Sequence, residues 1–379
     1  LTNRIDRRVV LRALIVLVVA AAAVTFLGSL GSSAVASTPE VASYAAGATS
    51  DATAGITQAN TIHAEAVSDD GSTETNRYLQ QFVNGIVFGL LLALASVGLS
   101  LIYGTTGLSN FAHGEQVSLG ALLTFFFTTQ QTVSIPFVPV EFTIGWPLIP
   151  SALVAIVLAA GTGWLQDRFL WSPLRRRRVS IVQQMIVSIG LSLALLNFIQ
   201  WWFGAERQRL STSIDTRIDF GMFEVGQSTL WSVSISVICL GAVAFFLLKT
   251  RTGRATRAVS DNPALASASG IRVERVIRLV WIMATGLAAI GGILLAIYDN
   301  AAAFDVGARL LLLMFAAVTL GGLGQAFGAL VGSLVIGVAV EMSTLWLGTD
   351  LKYAVALAIL ILVLLVRPQG ILGRAERVG

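Results

Sequence analysis

Four polar side chains able to handle protons, ligate a metal or hydrogen-bond a solute crowd into the run Asn110-Phe111-Ala112-His113-Gly114-Glu115-Gln116. It lies between two apolar stretches, 83–101 and 117–127, and near Gly104 and Gly107. Only a very short turn fits between those stretches, so the polar groups sit at or near membrane depth. An ionisable group there costs about 3 kcal/mol or more and normally faces a cavity or a partner. Irregular backbone at that depth is tolerated where it is buried in protein or lines a water-filled space. Glycines give such a backbone its positive φ and close approach. The chemistry this predicts is solute passage, with Asn110, Phe111, His113, Gly114 and Glu115 lining or gating the path, or bracing it. For Glu115 the bracing form is a carboxylate bonded to backbone amides or to His113.

Catalysis fits these residues poorly. His113 and Glu115 are two apart, which does not place them on one helical face. The chain has no H-E-x-x-H zinc motif and no G-x-S-x-G nucleophile elbow. Gly321-Gly322-Leu323-Gly324 lacks the lysine of a phosphate-binding loop. His63 stands alone and makes no metal site. No enzyme activity, cofactor or metal is expected. A channel or secondary transporter acting alone is the rival reading; it needs an ion-coupling site, and the acids within the spans are few and scattered.

The elements that position these residues are membrane helices. The 379 residues are 55% hydrophobic and only 12% charged, against about 25% charged in soluble domains. The fold class expected is all-α, a polytopic helical integral membrane protein. Spans read at 79–103, 115–130, 146–166, 181–203, 229–248, 276–298, 309–324, 327–347 and 350–366. With the N-terminal run that makes ten, or nine if the run is removed. Residues 1–36 carry Arg4, Arg7 and Arg8, an apolar run and Ala34-Val35-Ala36, the pattern of a signal peptide or a first transmembrane helix. Residues 37–78 are rich in Ala, Ser and Thr and read as a flexible extracytoplasmic segment. Residues 79–374 form the transmembrane domain. The lone Cys239 makes no intrachain disulfide.

Arginine and lysine concentrate in 1–8, 167–178, 249–275 and 367–379, including Arg175-Arg176-Arg177-Arg178. The positive-inside bias makes those segments cytoplasmic and places the C-terminus there. The net charge of +4 reflects this topology and the lipid bilayer, not nucleic acid. Glycines such as Gly286, Gly291, Gly292, Gly328 and Gly332 recur at helical spacing, as close helix packing requires.

The longest cytoplasmic loop, 249–275, predicts a short helix over Pro263–Ser269. Asp261 or Asn262 would cap it, Pro263 would open it and Gly270 would close it. Such a helix either docks on a cytoplasmic partner or simply makes the connection compact; capping chemistry leaves both open.

The run from Gly98 to Glu115, ending in Asn-Phe-Ala-His-Gly-Glu, resembles the signature of bacterial ABC-transporter permeases for branched-chain amino acids. Residues 257–271 resemble the coupling region of that family, and 366–373 resemble its Arg-Pro-x-Gly-Ile-Leu-Gly tail. The likeness spans about 79–374 in the right order. It implies the ABC-importer permease fold in the cell membrane. It also implies a second related permease subunit, two cytoplasmic ATPases and an extracytoplasmic substrate-binding protein. Arg257, Asn262, Pro263, Ala264, Leu265, Ala266 and Gly270 fall in the coupling region. The glutamate of the general Glu-Ala-Ala coupling motif is absent, because Ala264-Leu265-Ala266 stands there. The exported extension at about 31–77 is longer than in most amino-acid members and is commoner in members for urea or short amides, which leaves those substrates as the alternative.

Overall fold

The structure is a computed structural model that describes residues 77–129, 131–134, 141–210, 216–221, 223–348, 351–367 and 369–371. The N-terminal run at 1–36, nearly all of 37–78, Pro368 and residues 372–379 lie outside the described residues. Among the described residues nine helices lie where spans were read, six of them long and apolar enough to cross a membrane: α1 (Arg77–Thr106), α2 (His113–Thr128), α3 (Leu148–Gln166), α5 (Ile181–Phe203), α6 (Gln227–Lys249), α9 (Val273–Tyr298), α10 (Val306–Gly321), α11 (Ala326–Ser343) and α12 (Lys352–Val366). Three shorter helices, α4 (Ser172–Arg176), α7 (Arg251–Asp261) and α8 (Pro263–Ala268), lie between spans. Each of the nine spans read between 79 and 366 has a helix among the described residues, and the least regular pair, 309–324 and 327–347, is two helices joined by a tight turn. Gly322 and Gly324 both take positive φ there.

Helix α1 is the axis of the bundle, packing against α11, α9, α10 and α6. Its most apolar window is 89% buried, and that of α9 is 72% buried. Peripheral α3, α5 and α6 keep only 22%, 11% and 28% of theirs inside the protein. An apolar helix that is mostly exposed within one chain is what lipid or a partner subunit can cover. Close approach at the centre depends on small residues, as their spacing predicted. A Cβ on Gly98 would lie 2.7 Å from the Ala284 carbonyl oxygen, and one on Gly120 would lie 2.5 Å from the Ala289 Cα. Gly292 meets Val117, Gly328 meets Gly321, and Gly332 meets Ala317, whereas Gly286 has ordinary room beside Ala160.

Two antiparallel hairpins lie between spans: β1 (Gln131–Ser134) with β2 (Glu141–Ile144), and β3 (Arg217–Asp219) with β4 (Glu224–Gly226). The 131–147 segment is therefore partly paired strand. Gln80 ties α1 to this end by donating to the Glu224 carbonyl at 3.0 Å. At the opposite end Gly104 packs against Gly324 and Ser260. Arg175 meets Glu274 there, and Ile371 N–H donates to Leu320 O at 2.7 Å. The basic segments 167–178 and 249–275 and the start of the tail thus share one end of the bundle.

Candidate functional site

The polar run is a hairpin joint. Helix α1 stops at Gly107, whose φ of +70° lets its N–H donate to Tyr103 O at 2.7 Å. Asn110 then shapes the turn, its Oδ1 accepting from Ala112 N–H at 3.2 Å and its carbonyl from His113 N–H at 3.3 Å. Phe111 N–H donates to Ser188 Oγ on α5 at 3.2 Å, and the Phe111 ring lies 5.2 Å from that of Phe315.

His113 and Glu115 open α2, fully buried. A carbonyl only accepts, so His113 Nε2 carries the proton and donates to Ala95 O at 3.0 Å. Glu115 Oε1 accepts from Ser192 Oγ on α5 at 3.0 Å. The expected brace through His113 or backbone amides is therefore corrected: the carboxylate is tied to another helix. Gln116 Oε1 accepts from Thr162 Oγ1 on α3 at 2.7 Å. The joint thus reaches α1, α3 and α5 together.

Hydrogen-bonding capacity is left over. Asn110 Nδ2, His113 Nδ1, Glu115 Oε2 and Gln116 Nε2 are buried with no partner among the described residues. Ser96 Oγ and Ser100 Oγ on α1 share this state. Buried polar atoms are normally paired, since leaving one unpaired costs about 1–3 kcal/mol. Four such atoms within seven residues set this joint apart as a polar spot in an apolar bundle. Among the described residues no cluster of His, Cys, Asp and Glu has the makings of a metal site.

The second site residues lie at the basic end. Asn262 is the cap of α8, its Oδ1 accepting from Leu265 N–H at 3.0 Å, and Pro263 is the first helical residue. Gly270, at φ +83°, closes the helix in a Schellman arrangement: Gly270 N–H donates to Ser267 O and Ile271 N–H to Ala266 O, both at 3.0 Å. Ala266 faces inward, whereas Pro263, Ala264 and Leu265 face out, and Leu265 is 65% exposed. Arg257 is on α7, a helix not foreseen in this loop. Thr250 caps α7 by accepting from Gly253 N–H at 2.9 Å, and Gly253, Thr256 and Val259 form its buried face. An open cleft of about 380 Å³ lies beside the contact of α7 with the end of α1, with Arg254, Arg257, Ser260, Thr105 and Gln325 on its walls.

A membrane helix bundle with a polar hairpin joint and a capped, outward-facing short helix at its basic end is what the sequence motifs led to. Residues 81–364 match the family described as branched-chain amino acid transport system / permease component. The chain belongs to this family. It is similar to the high-affinity branched-chain amino acid transport system permease protein LivH of Escherichia coli K12, at 33% identity over 79% of this chain and 96% of that relative. The corresponding protein BraD of Pseudomonas aeruginosa is 31% identical over 80% of this chain and 98% of its own length. A probable branched-chain amino acid permease of Methanocaldococcus jannaschii is 32% identical over 76% and 90%. No solved structure matches the chain.

In this multi-pass membrane permease, the hairpin joint is fixed by backbone proximity as well as by hydrogen bonds. Gly114 and Gly307 abut through their backbones, and a Cβ on either would collide with the carbonyl oxygen of the other. Ser118 Oγ accepts from Gly307 N–H at 2.8 Å beside them. Two further acids, Asp305 and Glu341, are at the ends of spans. Asp305 precedes α10 and pairs with Arg309 one turn on. Glu341 lies in the last turn of α11, in the field of Lys352 and Asp299. Burial pushes the Asp299 carboxyl above its ordinary range, and Lys352 and Arg207 partly offset this.

Sequence reading missed Ser188, Ser192 and Thr162. Ser188 and Ser192 are one turn apart on α5, the spacing of a polar face on an apolar helix, and that signal was available. It also missed Asp167, which is wholly buried between Arg175 and Arg278.

Proposed function

We propose that this chain is a membrane subunit of an ABC importer for branched-chain amino acids, driven by two cytoplasmic ATPases and supplied by an extracytoplasmic binding protein. What carries this reading is the relationship to branched-chain amino acid permeases over about four fifths of the chain, with nearly the full length of each relative covered. A second, related permease completes the membrane part, facing helices that one chain leaves largely uncovered. The basic end of the bundle is cytoplasmic, together with the C-terminus. There α8 presents Leu265 and its alanine neighbours to an ATPase.

Transport is alternating access. The ATPases close on ATP, α8 moves with them, and the spans reorient around the path. The hairpin joint is a gate or hinge at the inner end of that path. Asn110 and Gly114 shape it, His113 and Glu115 pin it to α1 and α5, and Phe111 closes against Phe315. A permease supplied by a binding protein needs little affinity of its own, which suits a few polar atoms with spare capacity better than a tight solute cage.

The test is uptake by proteoliposomes holding the complete importer. Labelled leucine, isoleucine and valine should enter, with unlabelled branched-chain amino acids competing and urea or acetamide not competing. Import of urea or acetamide with no import of leucine would overturn the substrate assignment.

A further inference from the structure

The loop between α3 and α5 reads as a string of positive charge, yet it contains a buried carboxylate. Asp167 begins a π-helical turn, Asp167–Trp171, that continues α3. Its side chain is 0% exposed and accepts from Arg175 Nη2 at 2.7 Å and from Arg278 Nε at 3.2 Å. Arg175 reaches on to Glu274, donating through Nη2 at 2.9 Å and Nε at 3.4 Å. Ser172 Oγ donates to the same carboxylate at 3.2 Å. Beside these charges Trp171 and Trp281 stack at 5.4 Å, both fully buried. Single π-turns inside α-helices occur frequently at functional sites.

The position matters more than the charge count. Glu274 is the second residue of α9, and Gly270 at the end of α8 is only a few residues before it. Asp167 is at the other end of the cluster, on α3. Four and five residues earlier on α3, Gly163 packs directly on Thr285 of α9, and Thr162 donates to Gln116 at the polar joint. One unbroken line of contacts therefore runs from α8 through Glu274, Arg175 and Asp167 to α3, then through Thr162 to α2.

We propose that Asp167 is the positioning residue that transmits movement of the coupling segment to α3 and so to the polar joint of α2. This rests on the importer reading above. Asp167 touches neither solute nor nucleotide; it holds two arginines, one of which carries the first turn of α9. An ion pair whose carboxylate is sealed from water is directional and stiff, whereas apolar contact alone lets helices slide. Coupling along this line is free energy shared between its two ends.

The experiment measures leucine imported per ATP hydrolysed by the complete importer in proteoliposomes. With Asp167→Asn, hydrolysis should continue while import per ATP falls roughly tenfold, the scale of coupling such networks carry. Glu274→Gln, at the half-exposed edge of the cluster, is the gentler variant and should move the ratio in the same direction. Thr162→Val should also lower the ratio, and adding it to Asp167→Asn should cost little more, since the two lie on one line. An unchanged ratio in Asp167→Asn and Glu274→Gln would overturn the proposal. So would fully additive losses, or a loss of complex assembly by Asp167→Asn while Glu274→Gln transports normally. Absence of ATP-dependent import by the unsubstituted complex would overturn the importer reading, and this inference with it.

Discussion

Glu115 and Ser192, 77 positions apart, meet at 3.0 Å in the interior of the bundle, the serine hydroxyl donating to the carboxylate. Through this bond the first turn of α2 is tied to α5, the helix with the least of its surface inside the chain. If the bond is a brace, the acceptor oxygen matters and the charge does not. Glu115→Gln keeps an oxygen for Ser192, whereas Glu115→Ala strands the hydroxyl, a loss of about 1–3 kcal/mol. Leucine uptake by Glu115→Gln should therefore stay well above that of Glu115→Ala. Equal loss in both would show that the charge itself is required.

Gly270 tests the end of α8 in isolation. Nothing lies within 4 Å of a Cβ placed there, so a side chain meets only the strain of its positive φ. That strain is about 1–2 kcal/mol for an L-residue and larger for a β-branched one. Gly270→Val should leave insertion intact and uncouple hydrolysis from uptake, and Gly270→Asn, which tolerates the conformation better, should fall between. Uptake per ATP measured on both decides it; normal coupling in Gly270→Val would remove α8 from the coupling role.

That helix was readable in advance because its signals are local. Asn262, Pro263 and Gly270 act within one turn of themselves, and α8 has the cap, first residue and terminator expected of it. The neighbouring α7 was not readable in the same way. Its buried face, Gly253, Thr256 and Val259, does recur at helical spacing between the arginines, but glycine and threonine do not stand out there as core residues. The spans were legible because a bilayer demands long apolar helices, and the short strand pairs were not, since nothing so strong dictates them. At the candidate site the polar run was evident, but its partners were not. Glu115 finds Ser192, Gln116 finds Thr162 and Asp167 finds Arg278 only after the helices have packed. Asp167 was further hidden by its place in a segment read for its positive charge.

Leu265 is 65% exposed among the described residues, and in the proposed coupling role it is the apolar contact offered to the ATPases. Leu265→Asp removes it at an exposed position, where substitutions usually change stability by no more than about 0.5 kcal/mol. The thermal unfolding of the purified permease should be unchanged, and co-purification of the ATPases should drop sharply. Undiminished co-purification would mean that the ATPases are held elsewhere.

The two backbones at Gly114 and Gly307 leave no space for a methyl group, while Gly241 on α6 faces open space. Overpacking a tight contact typically costs about 1–3 kcal/mol. Gly307→Ala should lower the unfolding temperature in detergent, and Gly241→Ala should not. Similar behaviour of the two would contradict the packing described for the joint.

The central claim is that this chain moves solute only when partner ATPases act through its cytoplasmic end. The most direct measurement is leucine uptake by the reconstituted importer whose ATPases are all inactivated by substitution of the catalytic residue but still assemble. The account predicts that uptake falls to the level of liposomes without protein. Uptake that persists would contradict it and would make this chain a channel or a secondary transporter in its own right.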